Sequence, residues 1–254
     1  MSIIDNPFIV LAGSLIALWL AACAGDLLRK LKLGLGADDR EDFNTVRNAA
    51  LILLALIIGF SFSMAVTRYE QRKNYEAAEA NAIGTGYLRA DLLPAEESER
   101  VRELLSKYIE QRISFYKAHD QRQVDQIDVD TAKSQEELWS VVSHVAGSQP
   151  TPIVALAVSG MNDVLNSQAY TQAAWWNRIP GAAWWLMGLI AISCNILIGY
   201  GERRTHTFVL LILPVILSIS FFLIADIDSP RPRTGVIDVS PQNLIAAAQV
   251  MRRR

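Results

Sequence analysis

Residues 59–68 read GFSFSMAVTR, an uncharged run that closes on Arg68 and sets the hydroxyls of Ser61, Ser63 and Thr67 among the rings of Phe60 and Phe62. A helix that only anchors a chain in lipid needs no hydroxyls. The run ends a longer uncharged stretch, 48–67, and three further stretches lack any Asp, Glu, Lys, Arg or His: 7–25, 179–201 and 207–225. Each has about the 20 residues that a helix rising about 1.5 Å per residue needs to cross a hydrocarbon layer about 30 Å thick. Residues 68–178, between the second and third stretches, hold most of the charge. The pattern predicts an all-α membrane protein: four transmembrane helices with a helical hydrophilic insert between the second and third. Residues 1–67 then carry the first two spans and their short loop, 68–178 a hydrophilic helical bundle, 179–226 the last two spans, and 227–254 a polar C-terminal tail.

Averaged over 254 residues, 51% apolar and 20% charged would pass for a soluble protein. Only the segregation of charge reveals the bilayer as a partner. A net charge of −2 argues against nucleic acid, whose phosphates demand a large Lys/Arg excess. Arg252, Arg253 and Arg254 form the one basic run, suited to lipid headgroups or solvent. Cys23 and Cys194 both fall in apolar spans, so they read as buried small hydrophobes rather than a disulfide framework. Leu20-Ala21-Ala22-Cys23 has the look of a lipidation box, but MSIIDNPF carries Asp5 and no positive charge, and 7–25 reads as a span.

The insert reads as helix almost throughout. From Arg68 no proline interrupts the chain before Pro94, so the second span is expected to continue well past the bilayer. Val101, Leu104, Leu105, Tyr108, Ile109 and Ile113 recur at the spacing of an amphipathic helix. The polar stretch 120–130 reads as a loop, with Thr131 and Ser134 as N-cap candidates and Ser134 and Glu137 as a capping box for the next helix. SQPTP at 148–152 breaks the chain, and a last helix covers 153–178. Trp175, Trp176, Trp184 and Trp185 read as a headgroup belt around the third span.

Chemistry is sparse. His119, His144 and His206 lack metal-ligand spacing, and no cofactor motif is present. Gly84-Thr85-Gly86 follows a helix and has no Lys-Ser/Thr partner, so it reads as a kink rather than a phosphate loop. His144 and Glu137 on one helical face form a weak acid/base candidate. The expected protein is not an enzyme.

On a helix turning about 100° per residue, Leu56, Phe60, Ser63 and Thr67 fall within about 60°, with Ile52 just outside. One face thus runs from apolar side chains to hydroxyls and approaches Arg68. Copies of such a face around an aqueous path would narrow it with bulk and then line it with hydroxyls. A helix packed in a bundle, its hydroxyls bonded to carbonyls one turn back, accounts for the same pattern.

Gly59-Phe60 followed by Val66-Thr67-Arg68 resembles the second transmembrane helix of animal bestrophins. The rest resembles the bacterial bestrophin-like domain family, through EANAIGTGYLRADLLP at 79–94, RELLSKYIEQRI at 102–113 and IADIDSPRPRTGVIDVSPQ at 224–242. The resemblance spans 48–245, and it implies a homopentameric anion channel, chloride being the expected ion. It places Ile52, Leu56 and Phe60 in an apolar pore neck, Ser63, Thr67 and Arg68 along the pore lining, and the chain in the cell's inner (plasma) membrane as a multi-pass protein. Leu56 stands where animal bestrophins have a further Phe. The acidic cluster that binds calcium in bestrophins is reduced to separated Asp226, Asp228 and Asp238, so no metal is expected.

Sidedness is open: Arg and Lys in the short loops favour an external insert, whereas the resemblance puts it in the cytosol. Two other functional classes compete with the channel. One is a membrane-anchored interaction or signalling module working through the helices of 68–178, and the other a membrane enzyme with a polar cluster that only folding would assemble.

Overall fold

The computed structural model describes residues 6–31, 39–118, 120–201, 207–229 and 235–253. Among them the chain is helical, without strands. The elements are α1 (Pro7–Lys30), α2 (Asp39–Arg89), a 3-10 turn (Ala90–Leu92), α3 (Ala95–Lys117), α4 (Gln121–Ser148), α5 (Pro152–Trp176), α6 (Gly181–Gly201), α7 (Thr207–Asp228) and α8 (Gln242–Arg252). Four helical stretches are long and apolar enough to cross a membrane, within Pro7–Lys30, Arg40–Leu92, Pro152–Gly201 and Leu210–Asp228. The chain divides into two units, Met1–Arg68 with Arg178–Asp238, and Tyr69–Asn177 with Val239–Arg254.

In the first unit, α1 begins where Asn6 accepts the N–H groups of Phe8 and Ile9 at 3.1 and 3.4 Å, with Pro7 at the first helical position where its missing N–H costs nothing. The helix outlasts the uncharged stretch by five residues. Its last turn ties Asp26 to Arg29 at 2.6 Å and to Lys30 at 2.5 Å, which places cations where the helix dipole favours them. Helix α1 packs on α6 and α7. Backbones of α1 and α6 come so close that a methyl at Gly25 would strike the Ile196 carbonyl, and one at Gly199 the Ala22 carbonyl. Small residues on both helices therefore form the joint, as expected where lipid removes the hydrophobic drive for association.

In the second unit, the predicted stripe of α3 is the core. Val101, Leu105, Tyr108, Ile109 and Ile113 are buried against Ile83 of α2, Leu138 and Val142 of α4, Met161 and Val164 of α5 and Leu244 of α8, and Leu104 is partly covered. Each such side chain contributes about 1.5–3 kcal/mol through burial. Gly84 and Gly86 lie inside regular α2 helix, not at a break. A methyl on Gly86 would come within 3.0 Å of Val164, so this glycine lets α2 and α5 approach.

Beyond the kink expected at Gly84-Thr85-Gly86, three sequence readings need correction. The expected loop at 120–130 is the first part of α4, and Thr131 and Ser134 are buried inside that helix rather than capping it. Helix wins there because Gln121 bonds Asp125 at 2.8 Å and Gln126 bonds Asp130 at 3.1 Å, one turn on in each case, while Val124 reaches the core. Trp175 is no belt residue: its ring stands edge-on to Phe115 and Tyr116 at 5.1 and 5.5 Å, inside the core. Trp176 and Trp185 do remain exposed. Finally, the expected C-terminal tail contains α8, whose Leu244, Ala248 and Met251 are buried. Glu76 caps that helix by accepting from Leu244 N at 2.9 Å and Asn243 Nδ2 at 2.6 Å.

Candidate functional site

The stripe of α2 is uncovered. Ile52, Leu56 and Phe60 are 70, 52 and 64% exposed, and Ser63 and Thr67 continue the exposed face. Leu54, Ser61 and Ala65, on the opposite side of the helix, are buried. The hydroxyls that the sequence set together thus part company. Ser61 faces the interior of its own subunit, and only Ser63 and Thr67 share the stripe with the apolar residues. Thr67 Oγ1 donates to Ser63 O at 2.9 Å, so its proton is spent on the backbone and its lone pairs are left for whatever faces the stripe.

Flanking positions widen the bare surface. Leu53, Phe62 and Met64 are 41–48% exposed, so more than the narrow stripe awaits lipid or another chain. A run of apolar side chains this exposed within the chain is left for lipid, another copy of the chain or a pore to meet.

Arg68 departs from the stripe. One residue beyond Thr67 turns the side chain by about 100°, and the guanidinium lies 3.7 Å from Asp228, at the end of α7, with its side chain 14% exposed. Asp228 is a hub. Its other oxygen is 3.6 Å from Arg178 Nε, and both oxygens accept from Ile179 N at 3.0 and 3.3 Å. Position in the sequence did little to mark this pairing. The one available signal was a carboxylate placed just past the last uncharged stretch, where an unpaired charge is expensive.

Among the described residues, the remaining candidates do not converge on one cluster. Both carboxylate oxygens of Asp226 accept from Val236 N at 3.1 Å, and one also from Ile237 N at 3.2 Å, so this side chain is spent on holding those two backbone groups. No three of His, Cys, Asp and Glu converge to hold a metal among the described residues. His144 and Glu137 line an open groove of about 510 Å³ with Glu96, Glu97, Arg100 and Glu136. His119 and His206 lie outside the described residues. Cys23 and Cys194 are free thiols, Cys194 buried.

A family model described as the Bestrophin-like domain matches residues 16–244. No curated protein matches the sequence. A variant of a bacterial bestrophin homologue from Klebsiella pneumoniae is similar in structure, with a TM-score of 0.63 and 13% identity over 96% of this chain and 94% of that one. A second variant from Klebsiella pneumoniae gives 0.62 at 14% identity over 99 and 97%. A solved structure described as a membrane protein gives 0.65 at 14% identity over 97 and 96%. At such identities the likeness is one of fold.

Proposed function

The chain belongs to the bestrophin-like domain family, and from that premise we propose that it is one subunit of an oligomeric ion channel conducting small anions such as chloride. The oligomer is a homopentamer, and its narrowest part is an apolar neck of Ile52, Leu56 and Phe60 contributed by each copy of α2. Ser63 and Thr67 line the path beyond the neck. Arg68 acts at one remove, since its charge is shared with Asp228.

The uncovered stripe carries this reading: Ile52, Leu56 and Phe60 are more than half exposed in their own subunit although they sit in mid-span. Four spans cannot enclose a path whose narrow part is one face of one helix. Several copies can. Apolar side chains at that radius hold water out until the neck widens, which makes the constriction a gate as well as a filter. Phe60 adds a positive ring edge that an anion can approach, whereas Leu56 contributes bulk alone.

The test is purified protein in liposomes under a chloride gradient, with the oligomeric state fixed by native mass spectrometry in mild detergent. Chloride flux from an oligomer is the expected result. A monomer, or an oligomer whose vesicles pass no more chloride than empty ones, overturns the reading.

A further inference from the structure

Helix α2 does not stop at the end of its uncharged stretch, and neither does the face that the channel reading assigns to the pore. Glu70 lies 18 residues after Ile52, which at 3.6 residues per turn is about five full turns, so the two side chains leave α2 in the same direction. Ser63, two turns before Glu70, is within about 20° of it. Glu70 is exposed, and among the described residues its carboxylate has neither hydrogen bond nor ion pair. The helix through this point is unbroken, Asp39–Arg89.

The neighbouring cations lie off that face, the nearest exposed one, Lys73, about 60° round the helix from Glu70. Arg68 is turned toward Asp228. Arg72 is buried and donates to the carbonyls of Ala174 and Asn177 at 3.3 and 3.2 Å. Lys73 is exposed but leans over the Tyr69 ring, its Nζ 5.7 Å from the centroid. The first charge on the stripe after Thr67 is therefore negative, about 4.5 Å further along the helix axis.

We infer that Glu70 is a specificity-determining residue of the channel: repeated in each copy around the axis, its carboxylate forms an anionic ring at the mouth that concentrates small monovalent cations and lowers the preference for anions. This rests on the reading of α2 as the pore helix. A ring of like charges just outside a low-dielectric constriction produces a potential that falls mainly on ions about to enter. Screening limits its reach to about 10 Å at 0.1 M salt. Glu70 therefore acts on selectivity most strongly in dilute solution, and the Ser63 and Thr67 oxygens, with lone pairs outward at Thr67, add nothing that would offset it.

The experiment is the reversal potential of full-length protein in planar bilayers under a KCl gradient, compared with Glu70→Gln and Glu70→Lys. Glu70→Gln is expected to raise the chloride-to-potassium permeability ratio by roughly threefold at low salt, Glu70→Lys by more, and both differences to shrink as KCl is raised toward 1 M. Unchanged ratios in variants that still conduct overturn the inference and leave the channel reading intact. Wild-type protein that passes no current overturns the channel reading and this inference with it. Loss of the oligomer in Glu70→Gln, seen by native mass spectrometry, overturns the inference by assigning Glu70 to a contact between copies.

Discussion

Arg112 Nε meets Glu79 Oε1 at 2.5 Å, and neither side chain is exposed at all. The same carboxylate accepts from Thr171 Oγ1 at 2.9 Å and Tyr116 at 3.4 Å, so one buried anion gathers α2, α3 and α5 of the second unit. The Arg112 guanidinium also lies 4.3 Å from the Phe115 ring centroid. Burial is the largest single influence and acts to lower its pKa, but the Glu79 carboxylate beside it, together with the Tyr108 and Tyr116 phenols, holds it above the ordinary range. Glu79→Gln keeps the shape and removes the charge, which strands a buried cation. The expected loss is about 3–5 kcal/mol, read as a lowered midpoint of urea unfolding in detergent. A variant as stable as wild type would show that the pair contributes nothing net.

Two phenols in the same core make stability sensitive to alkali. Burial pushes Tyr108 and Tyr116 well above the usual 10, and the Glu79 carboxylate pushes both further in that direction. The folded chain therefore holds these protons more tightly than the unfolded one. Their contribution is complete below pH 10 and is lost as pH rises through the folded values, with a slope of about 1.4 kcal/mol per pH unit for each tyrosine. Trp175, edge-on to Tyr116, is a built-in fluorescent reporter. Tyr116→Phe should flatten the alkaline limb by about half, while a limb of unchanged slope would assign the loss of stability to other groups.

Gly25 and Gly199 offer a test in the first unit. What a methyl would meet at each is backbone carbonyl of the facing helix, which cannot swing aside as a side chain tip can. Gly25→Ala and Gly199→Ala each force α1 and α6 apart, at about 1–3 kcal/mol. Gly13 has open space beside it, so Gly13→Ala serves as the matched control. Thermal midpoints in detergent should fall for the first two and hold for the third.

Legibility in the sequence followed how local the cause was. The four spans and the α3 core were readable because charge segregation and apolar spacing act within one element. The helix at 120–130 was hidden because its polar residues satisfy each other along the helix, and only Val124 and the partly buried Ile127 mark the core side. Trp175 was misplaced for the opposite reason: its neighbours Phe115 and Tyr116 come from α3, far away in sequence. Helix α8 depends on Glu76, and Arg68 is drawn aside by Asp228, again partners that no window of sequence contains. The stripe of Ile52, Leu56 and Phe60 was legible as a face, but its exposure needed the positions of the other helices.

The proposed neck rests on that exposure, which gives the last prediction. Side chains this exposed within the chain should be removable at little cost to its fold, so Leu56→Ala and Phe60→Ala are expected within about 0.5 kcal/mol of wild type. Conduction is another matter. If these residues close a water-filled path, shortening either widens the dewetted section, and single-channel conductance in planar bilayers should rise by roughly twofold or more. Phe62 is also exposed, but two residues of helix turn it about 200° from Phe60. Phe62→Ala should therefore leave conductance unchanged, and equal effects at positions 60 and 62 would place the stripe against lipid instead of water.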